Sequence, residues 1–483
     1  MNITLKRVFA VYVFVYTFFF ASRPLSDPDF WWHLKTGQLI FDSHSIPRVD
    51  PFSFTNHGKA WVAHEWLSEV FFYAVYSKFG FAALIFIFAI LTALAFWIVF
   101  RRCEAHPYVL ALIAFVAVWS VLPTIGVRPR VFTLLFASIF LTVLAPDSVK
   151  RLGWKIFWLV PLMTLWANLH AGYIIGLVFI ALSLAGVVVD SGFSSARLKS
   201  ARPQITKLGL LFVACLGAAT INPQGPKILL FPFEFFFSPV QQNEIVDWLS
   251  PNFHQTETLP LLILIWGSIA ALAMSPKRPR PSELLFFLTT LYATLKSSRH
   301  VAIFALVAAP LFAHYLQHWI DASSEKRSFE SPATSKFDRR AVVFGVLLLI
   351  PLVPLTQRLL TVTYAPPTQE LTRVPIGAVD FMKSNQLTGN TFTDPNVWGG
   401  YLIWAMPSNP VYIDGRIDMY GDKFVSDYVS LIRGRLPWQT AFDSSGVRHA
   451  VLSTNSQLRL ELRNSNEWRE VYSDNLAVVF TRR

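Results

Sequence analysis

The sequence predicts a polytopic α-helical membrane protein of about 11 spans, with a small α/β domain after the last of them. Three observations carry this reading. Of 483 residues, 53% are hydrophobic and 15% charged, and the mean hydropathy is +0.43; a soluble chain of this length carries more charge. Uninterrupted apolar runs long enough to cross a bilayer recur along the chain, and lysine and arginine gather in alternate gaps between them. From about Thr361 the chain turns polar and mixed, so residues 1–360 read as a transmembrane domain and 361–483 as an extramembrane one. The formal charge of +12 belongs mostly to the ends of apolar runs, where it sets orientation and gives no reason to expect nucleic acid. The two cysteines, Cys103 and Cys215, suggest neither a disulfide nor a metal site.

Taken in order, Lys6-Arg7 precede an apolar run from Val8 to Ala21 that reads as a signal anchor; Ala21-Ser22 resembles a cleavage site, and either way the following segment is outside. A long outer loop, 22–80, contains Trp61 and His64-Glu65-Trp66. Leu67, Val70, Phe71, Ala74 and Val75 then share one face of a helix expected to lie on the membrane surface, with Trp61 and Trp66 as interfacial anchors. Further spans are expected at 81–100, 107–124, 131–145, 156–166, 173–189, 208–220, 259–274, 284–295, 301–316 and 341–355. A tight turn or broken helix is expected at Trp166–Gly172, and a second long outer loop at 221–258. The basic gaps place the N-terminus in the cytoplasm and the C-terminal domain outside, in the cytoplasmic (inner) membrane of a cell.

The C-terminal segment alternates short strands and helices. Strands are expected at 390–392, 411–414, 449–453, 470–472 and 477–481, the last two as an antiparallel hairpin. Helices are expected at 375–387, 401–405, 423–433 and 457–463.

The stretch richest in chemistry is Ser26–Gly37, which follows the first apolar run. Asp27-Pro28-Asp29 admits two readings. In one, Asp27 caps a helix, Pro28 opens it and Asp29 stacks over His33 one turn on. In the other, both carboxylates point to one side as a metal-binding or proton-transfer pair. Trp32 offers either a sugar platform or an interfacial anchor. His64 and Glu65 share the same loop. Arg128, Arg130 and Arg299 fall at outer ends of spans, against the charge trend; such guanidiniums suit a phosphate, with snorkelling at the interface as the structural alternative. His170 joins the same outer layer. In the tail, Asp414 and Asp418 flank Arg416, either as a structural ion pair or as substrate contacts. The sequence has no P-loop, Rossmann fingerprint, HExxH or CxxC.

These residues resemble the GT-C superfamily of polytopic glycosyltransferases, which includes protein O-mannosyltransferases, aminoarabinose transferases and oligosaccharyltransferase catalytic subunits. The resemblance rests on the acidic pair just after the first span, Trp-Trp-His-Leu behind it, the Trp166–Gly172 turn, the Asn222-Pro223 loop, Ser298-Arg299 and Asp414-Gly415-Arg416; among its members it is strongest to bacterial ones. It implies transfer, with inversion, of a sugar from a polyprenyl-phosphate or pyrophosphate carrier to an acceptor hydroxyl at the outer membrane face. Asp29, assisted by Asp27, would act as base. The substrate would be held by Arg128, Arg130, Arg299, His33, Trp32, His64, Glu65, His170, Asp414 and Arg416. A divalent cation, Mg or Mn, is an optional bridge at Asp27 and Asp29. The expected partners are the lipid-linked sugar and membrane lipids. Two other readings stand beside this one: a transporter or flippase of lipid-linked sugars, and a non-catalytic assembly scaffold. Charge gathers at the ends of the apolar runs and not at their centres, which favours one-sided chemistry over passage.

Overall fold

The structure is a computed structural model that describes residues 5–323 and 373–483. Helices lie on the expected apolar runs: Leu5–Ala21, Trp66–Phe100, Pro107–Val121, Arg130–Leu144, Leu159–Leu169, Ile174–Asp190, Ser195–Ala219, Leu259–Met274, Pro281–Lys296 and Val301–Ser323. The expected span at 341–355 lies outside the described residues. Five helical stretches are long and apolar enough to cross a membrane, or up to six if the bent pair Arg130–Leu144 and Pro146–Leu169 counts as one span. The expected count of about 11 is therefore not confirmed among the described residues. The shortfall has local causes. Leu5–Ala21 has 17 residues and Pro281–Lys296 has 16, and Ser195–Ala219 carries Arg197, Lys199, Arg202 and Lys207 in its first half.

The described chain divides into two compact units. The first comprises 5–23, 85–232 and 246–323 and is helical. Its helices Pro107–Val121, Leu259–Met274 and Val301–Ser323 pack on one another, while Ile174–Asp190 packs on Ser195–Ala219 and Pro281–Lys296. The expected break at Trp166–Gly172 is present as a 3-10 turn, Ala171–Tyr173, between two helices. Its exposed carbonyls are satisfied by the Asn222-Pro223 loop. Asn222 Nδ2 donates to the Ala167 carbonyl at 3.0 Å, and Asn168 Nδ2 donates to that of Ile221 at 2.8 Å. A broken helix end in an apolar setting needs such partners.

The second unit comprises 24–84, 233–245 and 373–483. It contains a four-stranded sheet of β1 (Thr391–Asp394), β2 (His449–Ser453), β3 (Trp468–Ser473) and β4 (Ala477–Arg482) in the order β1-β2-β4-β3. β1 and β2 are parallel, and β4 is antiparallel to both β2 and β3. Phe392, Ala450, Leu452, Val478 and Phe480 join Tyr428, Leu431, Trp438, Phe442, Leu458 and Trp468 in one core. The Ile376–Ser384 helix packs on β3 and β4. Alternation along each strand thus feeds apolar side chains to both faces, and helices cover them.

The expected strand at 411–414 makes no ladder. Val411 forms only isolated bridges, to Thr391 and to Ser53 of the long outer loop. The backbone bonds are shared with that loop: Val411 N–H donates to Phe52 O at 3.3 Å and Phe54 N–H to Val411 O at 3.1 Å, while Tyr412 N–H donates to Thr391 O of β1 at 2.9 Å. This pairing explains why the loop and the tail share one compact unit although the sequence separates them.

The same loop carries the Trp66–Phe100 helix, which breaks at Gly80 (φ 73°, ψ −172°). The break separates a surface-type segment from the apolar stretch at 81–100, as the sequence implies. Before the break, the helix buries Ser68, Glu69 and Phe72 and leaves Leu67, Val70, Phe71, Ala74 and Val75 half-buried. Trp61 is not an interfacial anchor. It is 4% exposed, and its ring covers the Arg416 guanidinium at 4.5 Å, with Phe52 on it at 4.9 Å.

Arg416 is the buried centre of this unit. It forms a two-point pair with Asp414 (2.9 and 2.7 Å) and reaches Asp50 at 2.8 Å. Burial lowers its affinity for a proton, but Asp414 and Asp50 outweigh that and raise its pKa. Asp50 also accepts from the backbone N–H groups of Phe52 (3.0 Å) and Ser53 (3.1 Å), and Tyr420 donates its hydroxyl to Asp414 at 2.8 Å. Removing one member of a buried pair strands the others. Arg416→Ala is expected to lower the unfolding free energy of this unit by about 3–5 kcal/mol. Breaking the exposed Lys423–Asp427 pair by Lys423→Ala should cost about 0.5 kcal/mol or less. Denaturant melts of the two variants check the contrast, and equal losses would refute a clamp at Arg416.

Candidate functional site

Each unit carries one constellation of sequence-singled residues. In the second unit the Phe30–Ser43 helix begins at Asp29, which takes the cap position without capping through its side chain. Asp27 does the local capping: its Oδ1 accepts from the Asp29 N–H at 3.2 Å. Asp29 Oδ1 accepts from Trp32 Nε1 at 3.3 Å, its backbone carbonyl accepts from the His33 N–H, and its charge is among those that raise the His33 pKa. The tail reaches the same carboxylate. A Cβ on Gly415 would lie 1.9 Å from Asp29 Oδ1 and 3.1 Å from Trp32 Nε1, so only glycine allows this approach. Asp27 and Asp29 remain half-buried.

Behind Trp32 lies a buried polar network. The His33 ring lies 3.6 Å from that of Trp32, centroid to centroid. Its Nδ1 is 3.2 Å from Glu69 Oε1 and its Nε2 is 3.5 Å from Glu65 Oε2. Glu65 Oε1 in turn lies 3.6 Å from His64 Nε2. Burial alone would favour neutral His33, but the hydrogen bond to Glu69 and the charges of Glu65 and Glu69 raise its pKa. The same contest at His64 lifts its pKa to about 9, with Glu65, Asp418 and Glu69 outweighing burial. His33, Glu65 and Trp32 are thus buried, with Trp32 between Asp29 and the His33 ring. Asp418, expected beside Arg416, is instead coupled chiefly to His64. Glu69 is the member the sequence reading missed. Its signal was its place one helical turn after Glu65, on the same face.

Asp27 and Asp29 make a poor cation site. One Asp27 oxygen is taken by a backbone N–H, Asp29 Oδ1 is covered by Trp32 and Gly415, and no third His, Cys, Asp or Glu among the described residues completes a set.

In the first unit, Arg128, Arg130 and Arg299 converge. Arg130 Nη2 contacts Asp247 Oδ2, and Arg128 Nη1 lies 3.7 Å from the same oxygen. Arg299 lies 4.6 Å over the ring of Trp248. Burial would raise the Asp247 pKa, but Arg130, Arg128 and Arg299 hold it down at about 2. Three guanidiniums thus gather around one carboxylate. Asp247 gave no local signal in the sequence, because its partners are remote along the chain. His170 lies in this unit as a turn-former: its Nδ1 accepts from the Gly172 N–H at 2.8 Å and lies 2.8 Å from Thr133 Oγ1, which puts the proton of a neutral ring on Nε2. Asp414 and Arg416 are consumed in the clamp of the second unit and are essentially unexposed.

Neither a protein-family model nor a curated protein sequence matches the chain. Its structural neighbours are GT-C glycosyltransferases. The oligosaccharyltransferase AglB of Archaeoglobus fulgidus, solved with an inhibitory peptide and a dolichol-phosphate, superposes with a TM-score of 0.54 at 13% identity, over 92% of this chain and 69% of that one. Its apo form gives 0.53 over the same shares. The arabinofuranosyltransferase AftD from Mycobacteria gives 0.52 at 14% identity, over 100% of this chain and 42% of its own. At such identities the likeness is one of fold. This chain shares the fold of those membrane proteins.

The charge on His64 links stability to pH. Its folded pKa of about 9 lies above the ordinary value of 6.5. The stabilisation is therefore complete below 6.5 and lost as pH rises through about 9. The melting temperature should fall over that window. His64→Gln should flatten the fall and leave only the part due to His33. Parallel profiles for wild type and variant would show that His64 is not charged in the fold.

Proposed function

We propose that the protein is a membrane glycosyltransferase that moves a sugar from a polyprenyl-phosphate or pyrophosphate carrier to an acceptor hydroxyl, at the outer face of the cytoplasmic membrane. The observation that carries this reading is the convergence of Arg128 and Arg130 on one carboxylate oxygen, with Arg299 close enough to depress the same carboxylate. Such a cluster is built for an anion with several acceptor oxygens. The shared fold supports the reading, and dolichol-phosphate in the AglB structure supports a phosphate-bearing carrier.

In this mechanism Asp29 accepts the proton of the acceptor hydroxyl. The freed oxygen attacks the anomeric carbon, and the bond from that carbon to the carrier phosphate breaks with inversion. The electron pair leaves on the phosphate, which Arg128, Arg130 and Arg299 stabilise as its charge grows. Trp32 orients Asp29, and the His33–Glu69–Glu65 network holds Trp32. No step requires a metal.

The test is turnover of polyprenyl-phosphate-linked sugars by the full chain in lipid. Asp29→Asn should reduce kcat by roughly 10²–10⁴ and Arg130→Ala by roughly 10²–10³, both with unchanged melting temperature. Full activity in Asp29→Asn would eliminate it as base. Movement of the lipid-linked sugar across the bilayer without transfer would favour a flippase instead.

A further inference from the structure

The cluster already holds an anion. Asp247 belongs to the 3-10 turn Val246–Trp248, and the chain around it is tied to the turn that carries Arg299. Ser297 Oγ donates to the Asp247 carbonyl at 3.0 Å, the Ser298 N–H donates to the Leu249 carbonyl at 2.9 Å, and Arg299 covers Trp248. The Asp247 side chain is 39% exposed, whereas those of Arg128 and Arg130 are 20% exposed. A ligand arriving from solvent meets the carboxylate before the guanidiniums.

We propose that Asp247 is a specificity-determining residue, a resident anion that a phosphate monoester displaces and a singly charged phosphodiester displaces poorly. This inference rests on reading the arginine cluster as a phosphate site. Exchanging one singly charged group for another gains little Coulomb energy. A monoester carries roughly 1.5–2 negative charges at neutral pH and three acceptor oxygens, enough to engage several guanidiniums at once. With a polyprenyl-phosphate carrier the lipid-linked sugar is a diester, and the carrier that leaves after transfer is a monoester. Asp247 therefore weakens the hold on the substrate more than on the leaving phosphate, which is the differential binding that accelerates a reaction.

The experiment measures binding of farnesyl phosphate, a monoester, and dibutyl phosphate, a diester, to the full chain in detergent. Wild type, Asp247→Asn, Ser297→Ala and Arg130→Ala are compared. Wild type should prefer the monoester by roughly tenfold or more. Asp247→Asn should tighten both ligands, the diester by more, so that the preference falls to within about threefold. In turnover it should lower KM for the carrier and also lower kcat, because the phosphate leaves more slowly. These fold-changes are order-of-magnitude expectations for one charge at a partly exposed site. Ser297→Ala loosens the loop without touching its charge and should shift both affinities in the same direction by a smaller factor, so it decides the matter if Asp247→Asn does not fold. Unchanged or weaker binding in a stably folded Asp247→Asn would overturn the proposal and make Asp247 a structural counterion. Absence of binding by wild type, with no effect of Arg130→Ala, would instead sink the phosphate site itself.

Discussion

The second unit depends on one buried cation. A guanidinium 1% exposed to solvent is tolerable only if its charge and hydrogen bonds are matched. Arg416 matches its charge with Asp414 from its own turn and Asp50 from a loop far away in sequence, and packs against Trp61 and Phe52, while its Nη1 is buried without a hydrogen-bond partner among the described residues. The consequence reaches the candidate base. Gly415 lies between the two paired residues, so holding Asp414 and Arg416 in register also holds Gly415 against Asp29 Oδ1. The clamp acts through backbone position: it touches no candidate substrate group, yet it determines where the carboxylate of Asp29 can lie.

The apolar runs were legible because charge bounds them. Lys277-Arg278 after Met274 and Lys296 at the end of Pro281–Lys296 mark helix ends, as do the short breaks at Gly80 and at Ala171–Tyr173. β2, β4 and the Gln457–Arg463 helix were equally readable, the first two as short continuous apolar runs and all three from the alternation of short strands and helices along the domain. What failed was non-local. Val411–Asp414 has strand composition, but it divides its backbone bonds between Thr391 of β1 and the remote residues Phe52 and Phe54, and no local rule reveals the latter. Trp61 looks like an interfacial tryptophan until Arg416 is found against it. Asp247 is an ordinary loop aspartate until Arg128 and Arg130 close on it. Glu69 was the one recoverable omission, since Glu65, Glu69 and a nearby histidine form a pattern on one helix face.

The two constellations differ in electrostatic character. Around His33 and His64 the charges nearly cancel: two imidazoles held toward their cationic forms face Glu65, Glu69 and Asp418. Asp29 is the partly exposed carboxylate at the edge of this network, in which Glu69 Oε2 is buried without a hydrogen-bond partner among the described residues. The arginine cluster gathers three guanidiniums about the single carboxylate of Asp247. A fold shared at 13 and 14% identity does not specify such a division, because many chemistries can occupy one scaffold. The division comes from where this sequence places its charges: carboxylates about two imidazoles in the second unit, and three guanidiniums about Asp247 in the first.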